Sequence, residues 1–222
     1  MNGAEDNKLW VKAYEWVKNG IFNGSLNEGM PLSEGMMARK INISRTPIRE
    51  ALRILERDGY VSLVPGKGAF ISSVSMEVVR EIYEIRRLLE PYAARTAVRR
   101  IPENLLREAE EQWLKIQATL EKGGKIDWPK IASLDKDLHI MITAHTANGQ
   151  IRNILLPYNA RVERFQLLSA IALSNLRETV QQHLDIIACI KARDENELAE
   201  LLLEHIISSE KNIRRLYSPL ES

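Results

Sequence analysis

From residue 76 onward, apolar residues recur at three- and four-residue steps in six successive stretches, near 76–99, 103–121, 127–146, 149–173, 175–192 and 194–216. That period draws an apolar stripe along one face of an α-helix, so this part of the chain is held to a bundle of about six amphipathic helices. Pro102, Gly123-Gly124, Asn148-Gly149 and Asp194 punctuate the stretches and provide helix stops and caps. The apolar run Ile151 to Leu156 is interrupted by Arg152 and Asn153, far short of the roughly 18 to 20 residues that a bilayer span requires. No membrane partner is expected. The first six residues lack a basic start and an apolar core, and the one cysteine, Cys189, permits no internal disulfide; a reducing, cytoplasmic compartment is the expectation.

The first 74 residues have a different grammar. Leu9 to Phe22 is a helical pattern, followed by a turn-rich stretch from Asn23 to Gly29. Ser33 is placed to cap a short helix reaching Lys40, Asn42 tolerates a left-handed turn, and Ser44 is placed to cap a third helix running to about Asp58. Pro47 falls in the first turn of that helix, where no amide partner is lost, and Gly59 ends it. Tyr60 to Val64 and Ala69 to Ser72 are β-like and flank Pro65-Gly66-Lys67-Gly68, a hairpin with a basic tip. Two short helices joined by a tight turn, with a helix before and a hairpin after, form the pattern of a winged helix-turn-helix. The expected fold is therefore mainly α: a winged helix-turn-helix with a small β-hairpin over 1–74 and an all-helical bundle over 75–222.

A net charge of +1 says little about nucleic acid, but its distribution does. From Arg39 to Lys67 there are seven basic residues against three acidic ones. Arg45, Arg49 and Arg53 recur every four residues and share one helix face, while Ile48, Leu52 and Leu55 lie on the other. A guanidinium fork can bond guanine O6 and N7 together, worth roughly 1 to 3 kcal/mol of discrimination. Thr46 and the amides of the helix start suit phosphate oxygens, and Lys67 between two glycines brings the wing backbone close to a groove. By spacing alone, a merely solvated basic face fits as well.

The run Gly24 to Glu34, then Ser44-Arg45-Thr46-Pro47-Ile48-Arg49-Glu50-Ala51-Leu52, Leu55-Glu56-Arg57-Asp58-Gly59 and Pro65-Gly66-Lys67-Gly68-Ala69-Phe70 resembles the DNA-binding domain of the GntR family without a gap. The resemblance implies base contacts by Arg45 and Arg49, with Thr46 and Gly68 supporting phosphate or wing contacts. Ser44 and Lys67 complete the expected DNA-contacting set, and the partner is a double-stranded, palindromic operator. One departure stands out: where the family usually carries arginine, this chain has Gly35, and Met36 and Met37 replace an acidic residue and a leucine. A DNA contact is expected to be missing there.

Three of the four histidines in the helical half fall on apolar faces, where polar groups need partners. Asp135 and His139 are one helical turn apart beside Ile131, Leu138 and Ile142; His183 lies between Val180 and Ile187; His205 follows Leu201 and Leu202. Taken singly, each histidine reads more often as a satisfied core residue than as a ligand, but converging they suit zinc, nickel, iron or manganese. His145 is expected to point away, toward solvent.

Glu84-Ile85-Arg86-Arg87-Leu88-Leu89-Glu90-Pro91, then Asp135-Lys136-Asp137-Leu138-His139, Asn148, His183 and His205 resemble the FCD effector domain of the FadR subfamily. That likeness implies a divalent transition metal, zinc or nickel foremost, held by Asp135, His139, His183 and His205. It also implies a small organic acid bound beside the metal, meeting Arg86 and Asn148. Arg86 is alternatively an ion-pair partner of Glu90, and Asn148 a helix cap; Arg161 and Arg164 have positions but no motif. The expected protein is a homodimeric, ligand-responsive repressor and not an enzyme. The competing readings are a metal-dependent hydrolase and a bundle that only dimerises.

Overall fold

The computed structural model describes residues 3–172 and 176–217, in two compact units, Met1–Val74 and Ser75–Ser222. The first unit runs α1 (Gly3–Phe22), β1 (Pro31–Leu32), α2 (Glu34–Ile41), α3 (Arg45–Arg57), β2 (Val61–Val64) and β3 (Gly68–Ile71). Its sheet has the order β1-β3-β2, with both pairings antiparallel. Strand β1 was not expected: two residues are too few to display an alternation, and only pairing with Ala69 and Phe70 defines it.

Local chemistry sets the turn between α2 and α3. Ser33 caps α2 by accepting from the Met36 amide, and Asn42 at φ 54° donates its backbone N–H to the Ala38 carbonyl. Ser44 occupies the extended position before α3, but its side chain makes no capping bond. The exposed hydroxyl thus departs from the expected cap, and α3 is held instead by packing. Pro47, Ile48, Ala51, Leu52 and Leu55 are buried on one face, against a core that includes Ala13, Val17, Met37 and Tyr60. Each large aliphatic group buried there contributes about 1.5 to 3 kcal/mol. Gly59 ends the helix at φ 80°, a conformation in which a Cβ is strained.

The second unit contains α4 (Met76–Ala97), α5 (Glu103–Glu121), α6 (Trp128–Ala144), α7 (Gly149–Leu155), a 3-10 turn (Leu156–Tyr158), α8 (Asn159–Ala172), α9 (Leu176–Ala192) and α10 (Glu195–Tyr217). The stretch expected as one helix from 149 to 173 is three pieces. Pro157 lacks an amide donor and its ring crowds the preceding turn, so the chain passes through a single 3-10 turn before α8. Residues 173 and 175, where the sequence reading ends one helix and begins the next, lie outside the described residues. Helix α4 lies along α10 and also meets α6; α6 packs on α8, α5 on α9, and α9 on α10. These packings turn the inner faces of α4, α6, α9 and α10 toward one another.

Candidate functional site

At the centre of the second unit stands the Asp135 carboxylate. The Nε2 atoms of His139, His183 and His205 lie 3.2, 3.5 and 3.6 Å from its Oδ1. His139 comes from the same helix one turn on, His183 from α9 and His205 from α10, so three helices must dock before the group exists. All four side chains are buried. Among the described residues, no Nε2 of the three has a hydrogen-bond partner, an arrangement that costs free energy unless something else occupies those lone pairs.

The other ring nitrogens are all engaged. His139 Nδ1 meets Glu90 Oε2 at 2.5 Å, His183 Nδ1 meets the Thr179 carbonyl at 2.7 Å, and His205 Nδ1 meets Gln182 Oε1 at 3.3 Å. A carbonyl or carboxylate there accepts the Nδ1 proton and leaves Nε2 as a lone pair directed at Asp135, the tautomer a metal ligand requires. Gln166 Nε2 donates to Asp135 Oδ1 at 2.6 Å, and the Trp113 ring stacks on His183 with centroids 3.8 Å apart. Three nitrogens and one carboxylate oxygen form a donor set that suits zinc or nickel.

Burial and neighbouring charges act in different directions on the members of this set. Burial alone would raise Asp135, yet the imidazoles of His183, His139 and His205 hold it well below the ordinary carboxylate range. Burial, reinforced by neighbouring His183, pushes His205 down to about 4, leaving it neutral near pH 7. Burial also disfavours charge on His139, but the Glu90 carboxylate outweighs it and raises that pKa. Glu90 itself is carried from its burial-raised tendency down to about 2 by Arg86 and His139.

Glu90 is thus shared. Its Oε1 accepts from Arg86 Nε at 2.5 Å while its Oε2 faces His139. Arg86 is buried, its guanidinium carbon lies 4.9 Å from the Tyr83 ring centroid, and among the described residues its Nη1 and Nη2 have no hydrogen-bond partner. Both expectations for Arg86 therefore meet in one residue, an ion pair through Nε and an open fork at the other nitrogens. Beside Asp135 and His205 is a cavity of about 20 Å³ lined by neutral groups that include Gln166, Gln182, Ser208, Ser209 and Asn212. It has room for roughly one water molecule.

Other expected residues are not brought here. Asn148 is exposed and accepts from the Gln150 amide as the cap of α7. His145 is half-buried rather than solvent-facing, because its Nδ1 turns back onto the Met141 carbonyl at 2.8 Å. Neither Arg161 nor Arg164 lines the cavity. Conversely Gln166, Thr179, Gln182 and Trp113 have roles that the sequence signalled only as polar or aromatic residues at helical spacing, and the contact of Glu90 with His139 was not signalled at all.

In the first unit, Ser44, Arg45, Thr46, Arg49 and Arg53 are all exposed along α3, and Lys67 and Gly68 are exposed at the hairpin. The turn is closed by the Lys67 amide on the Val64 carbonyl at 3.0 Å, with Gly66 and Gly68 at φ 74° and 97°. Arg49 Nε donates to both carboxylate oxygens of Glu34, at 2.9 and 3.0 Å; sequence reasoning missed this partner. At Gly35 a Cβ would come no nearer than 3.8 Å to Arg45 Nη2 or to Ser33 Oγ, so space for a side chain exists but is unused. A groove bordered by Ser33, Glu34, Leu63, Lys67 and Gly68 runs between hairpin and α2.

Comparison with known proteins joins the two halves. Residues 10–71 match the model for bacterial regulatory proteins of the gntR family, and residues 81–208 match the FCD domain. The HTH-type transcriptional repressor RspR of Escherichia coli is 26% identical over 91% of this chain and 88% of its own length. An HTH-type transcriptional regulator from the ttuE-ttuC' intergenic region of Agrobacterium vitis is 35% identical over 61% of this chain and 79% of its own. The solved structure of E. coli McbR/YncC shares the fold at a TM-score of 0.76 and 24% identity, covering 95% of this chain and 99% of that one.

Proposed function

Because the chain belongs to the GntR family of transcriptional regulators and carries an FCD domain, we propose that it is a repressor whose hold on its operator is set by a metal-centred site in the helical half. It is a regulator and not an enzyme: the relatives and structural neighbours are transcriptional regulators, so the hydrolase alternative is set aside. We assign residues 1–74 to DNA reading and 75–222 to effector binding and dimerisation. The observation that carries the reading is the convergence of three buried, unpartnered Nε2 atoms on Asp135.

A bound zinc or nickel ion would supply positive charge that draws a small carboxylate into the bundle. Asp135, His139, His183 and His205 would hold it, and the open Nη fork of Arg86 would meet the acid in a bidentate pairing. Asn148, as an exposed cap, has no support for that role. The cavity beside Asp135 is too small for such an acid, so binding requires the lining helices among α6, α8, α9 and α10 to give way. An arrangement that admits the acid then differs from one that does not, and differential affinity of that kind is what shifts an equilibrium. Footprinting of the full chain on the DNA upstream of its own gene, with and without chelator and a panel of small carboxylic acids, tests this. A palindromic footprint that responds to metal and to one acid is expected; scattered protection indifferent to both would sink the reading.

On that operator, Arg45 and Arg49 read base edges, while Ser44, Thr46, Lys67 and Gly68 meet phosphate or the wing groove. Arg49→Ala is expected to relax base preference by roughly ten- to a hundredfold at one position of each half-site. Lys67→Ala should instead weaken binding to every sequence and reduce the salt dependence by about one phosphate contact. Equal losses on operator and random duplex for both variants would contradict the division of labour.

A further inference from the structure

We infer that Glu34 is a specificity-determining residue of the DNA reader: its carboxylate grips Arg49 by the Nε edge and so reserves the Nη fork for a base. The inference rests on Arg49 as a base-contacting residue. Among the described residues, the Nε edge is the one part of Arg49 bonded to protein, to both oxygens of Glu34. The guanidinium otherwise faces solvent, with the side chain 62% exposed. A planar guanidinium held at Nε by both oxygens of a carboxylate presents its two Nη groups over a narrower range of directions than a freely rotating arginine does.

Glu34 is itself well anchored. It begins α2, where the first-turn amides favour a negative charge, and the preceding Ser33 hydroxyl caps the same turn. An exposed pair of this kind adds little to stability. Its consequence falls on DNA. To reach a phosphate on a random duplex, Arg49 has to leave Glu34 and expose that carboxylate to the phosphate backbone. On the operator it keeps the pair and offers its fork to guanine. Glu34 therefore penalises the wrong DNA more than the right one, which is how discrimination is gained without a new attractive contact. Among the described residues Arg45 has no such holder, and its α2 neighbour is Gly35, so the effect is confined to the base pair that Arg49 reads.

The test uses full-length Glu34→Gln, Arg49→Ala and the double variant, with operator and random duplexes of equal length and a randomised half-site library. Glu34→Gln is expected to bind random DNA several-fold more tightly and to lower the operator-to-random ratio about tenfold. The preference should be lost at the Arg49 base pair and kept at the Arg45 one, with an unchanged melting temperature. In the Arg49→Ala background, Glu34→Gln should no longer alter base preference. If Arg49→Ala leaves every base preference intact, the base-contact reading itself fails. If Arg49→Ala abolishes one preference while Glu34→Gln leaves the ratio unchanged, or shifts both DNAs equally, that reading survives and the role of Glu34 is overturned.

Discussion

Asp135→Ala is expected to abolish stoichiometric zinc or nickel binding and, with it, the chelator-sensitive part of operator affinity. Asp135 is the one carboxylate among the four proposed ligands, and its Oδ1 lies within 3.6 Å of all three imidazole Nε2 atoms. Even loss of an outer partner of a metal ligand typically costs 10- to 100-fold in affinity, so removal of the central donor should exceed the upper end of that range. The variant also strands the Gln166 amide, which donates to the same oxygen; leaving a buried donor unsatisfied costs about 1 to 3 kcal/mol. Some loss of melting temperature is therefore expected even in metal-free protein. Metal content of purified protein and chelator competition measure the first effect. His145→Ala, which alters a histidine bonded to the Met141 carbonyl, should retain full metal. A wild type without metal, or Asp135→Ala and His183→Ala variants that bind it as the wild type does, would remove the basis for the metal-centred reading.

If the chain dimerises as proposed, Leu88→Glu combined with Tyr92→Glu is expected to convert the dimer to monomers and to lower operator affinity by about 10²- to 10⁴-fold, the range that linked binding provides. On α4, Leu88 and Tyr92 are 70% and 52% exposed, and on α7 and the following turn Ile154 and Leu156 are 47% and 59% exposed. The two elements are joined beneath by Ala93, Ile151 and Leu155 with Ile85 and Leu89, and Leu88 and Tyr92, one turn apart on α4, share a helix face. Large apolar side chains exposed one turn apart on one helix face are candidates for a partner contact. A second copy is the occupant proposed, because a two-fold-related pair would place two DNA readers on a palindrome. Two glutamates per copy would place four like charges in a self-complementary interface. Sedimentation at several concentrations and operator titration report the outcome. Retained dimers with unaltered operator binding would assign dimerisation to another face. Metal content should be unaffected, which separates this variant from Asp135→Ala.

The legible features were those with a local cause. The left-handed Asn42, Gly59 after α3 and the Ser33 cap follow from each residue's own backbone and side-chain chemistry. Period predicted the helices of the second unit, but period is blind to Pro157 when apolar spacing continues through it, and the 3-10 turn was missed. Ser44 stood at the right position without making the expected bond. Strand β1 was invisible because its partner lies 37 residues further along the chain, as in the Leu32 to Ala69 pairing.

The site divides in the same way. Sequence by itself determined the family, through its ordered motifs, and the exposed arginine face of α3 and the inward placement of Asp135, His139, His183 and His205, because helical spacing decides which face a side chain occupies. Only the tertiary structure decided that the four groups meet, that Glu90 is shared between Arg86 and His139, and that Glu34 of α2 holds Arg49 of α3. Rotation of one helix against another is a packing outcome, settled by side chains far apart in the chain. A second layer of partners follows from that rotation, and no spacing rule within a single helix contains it.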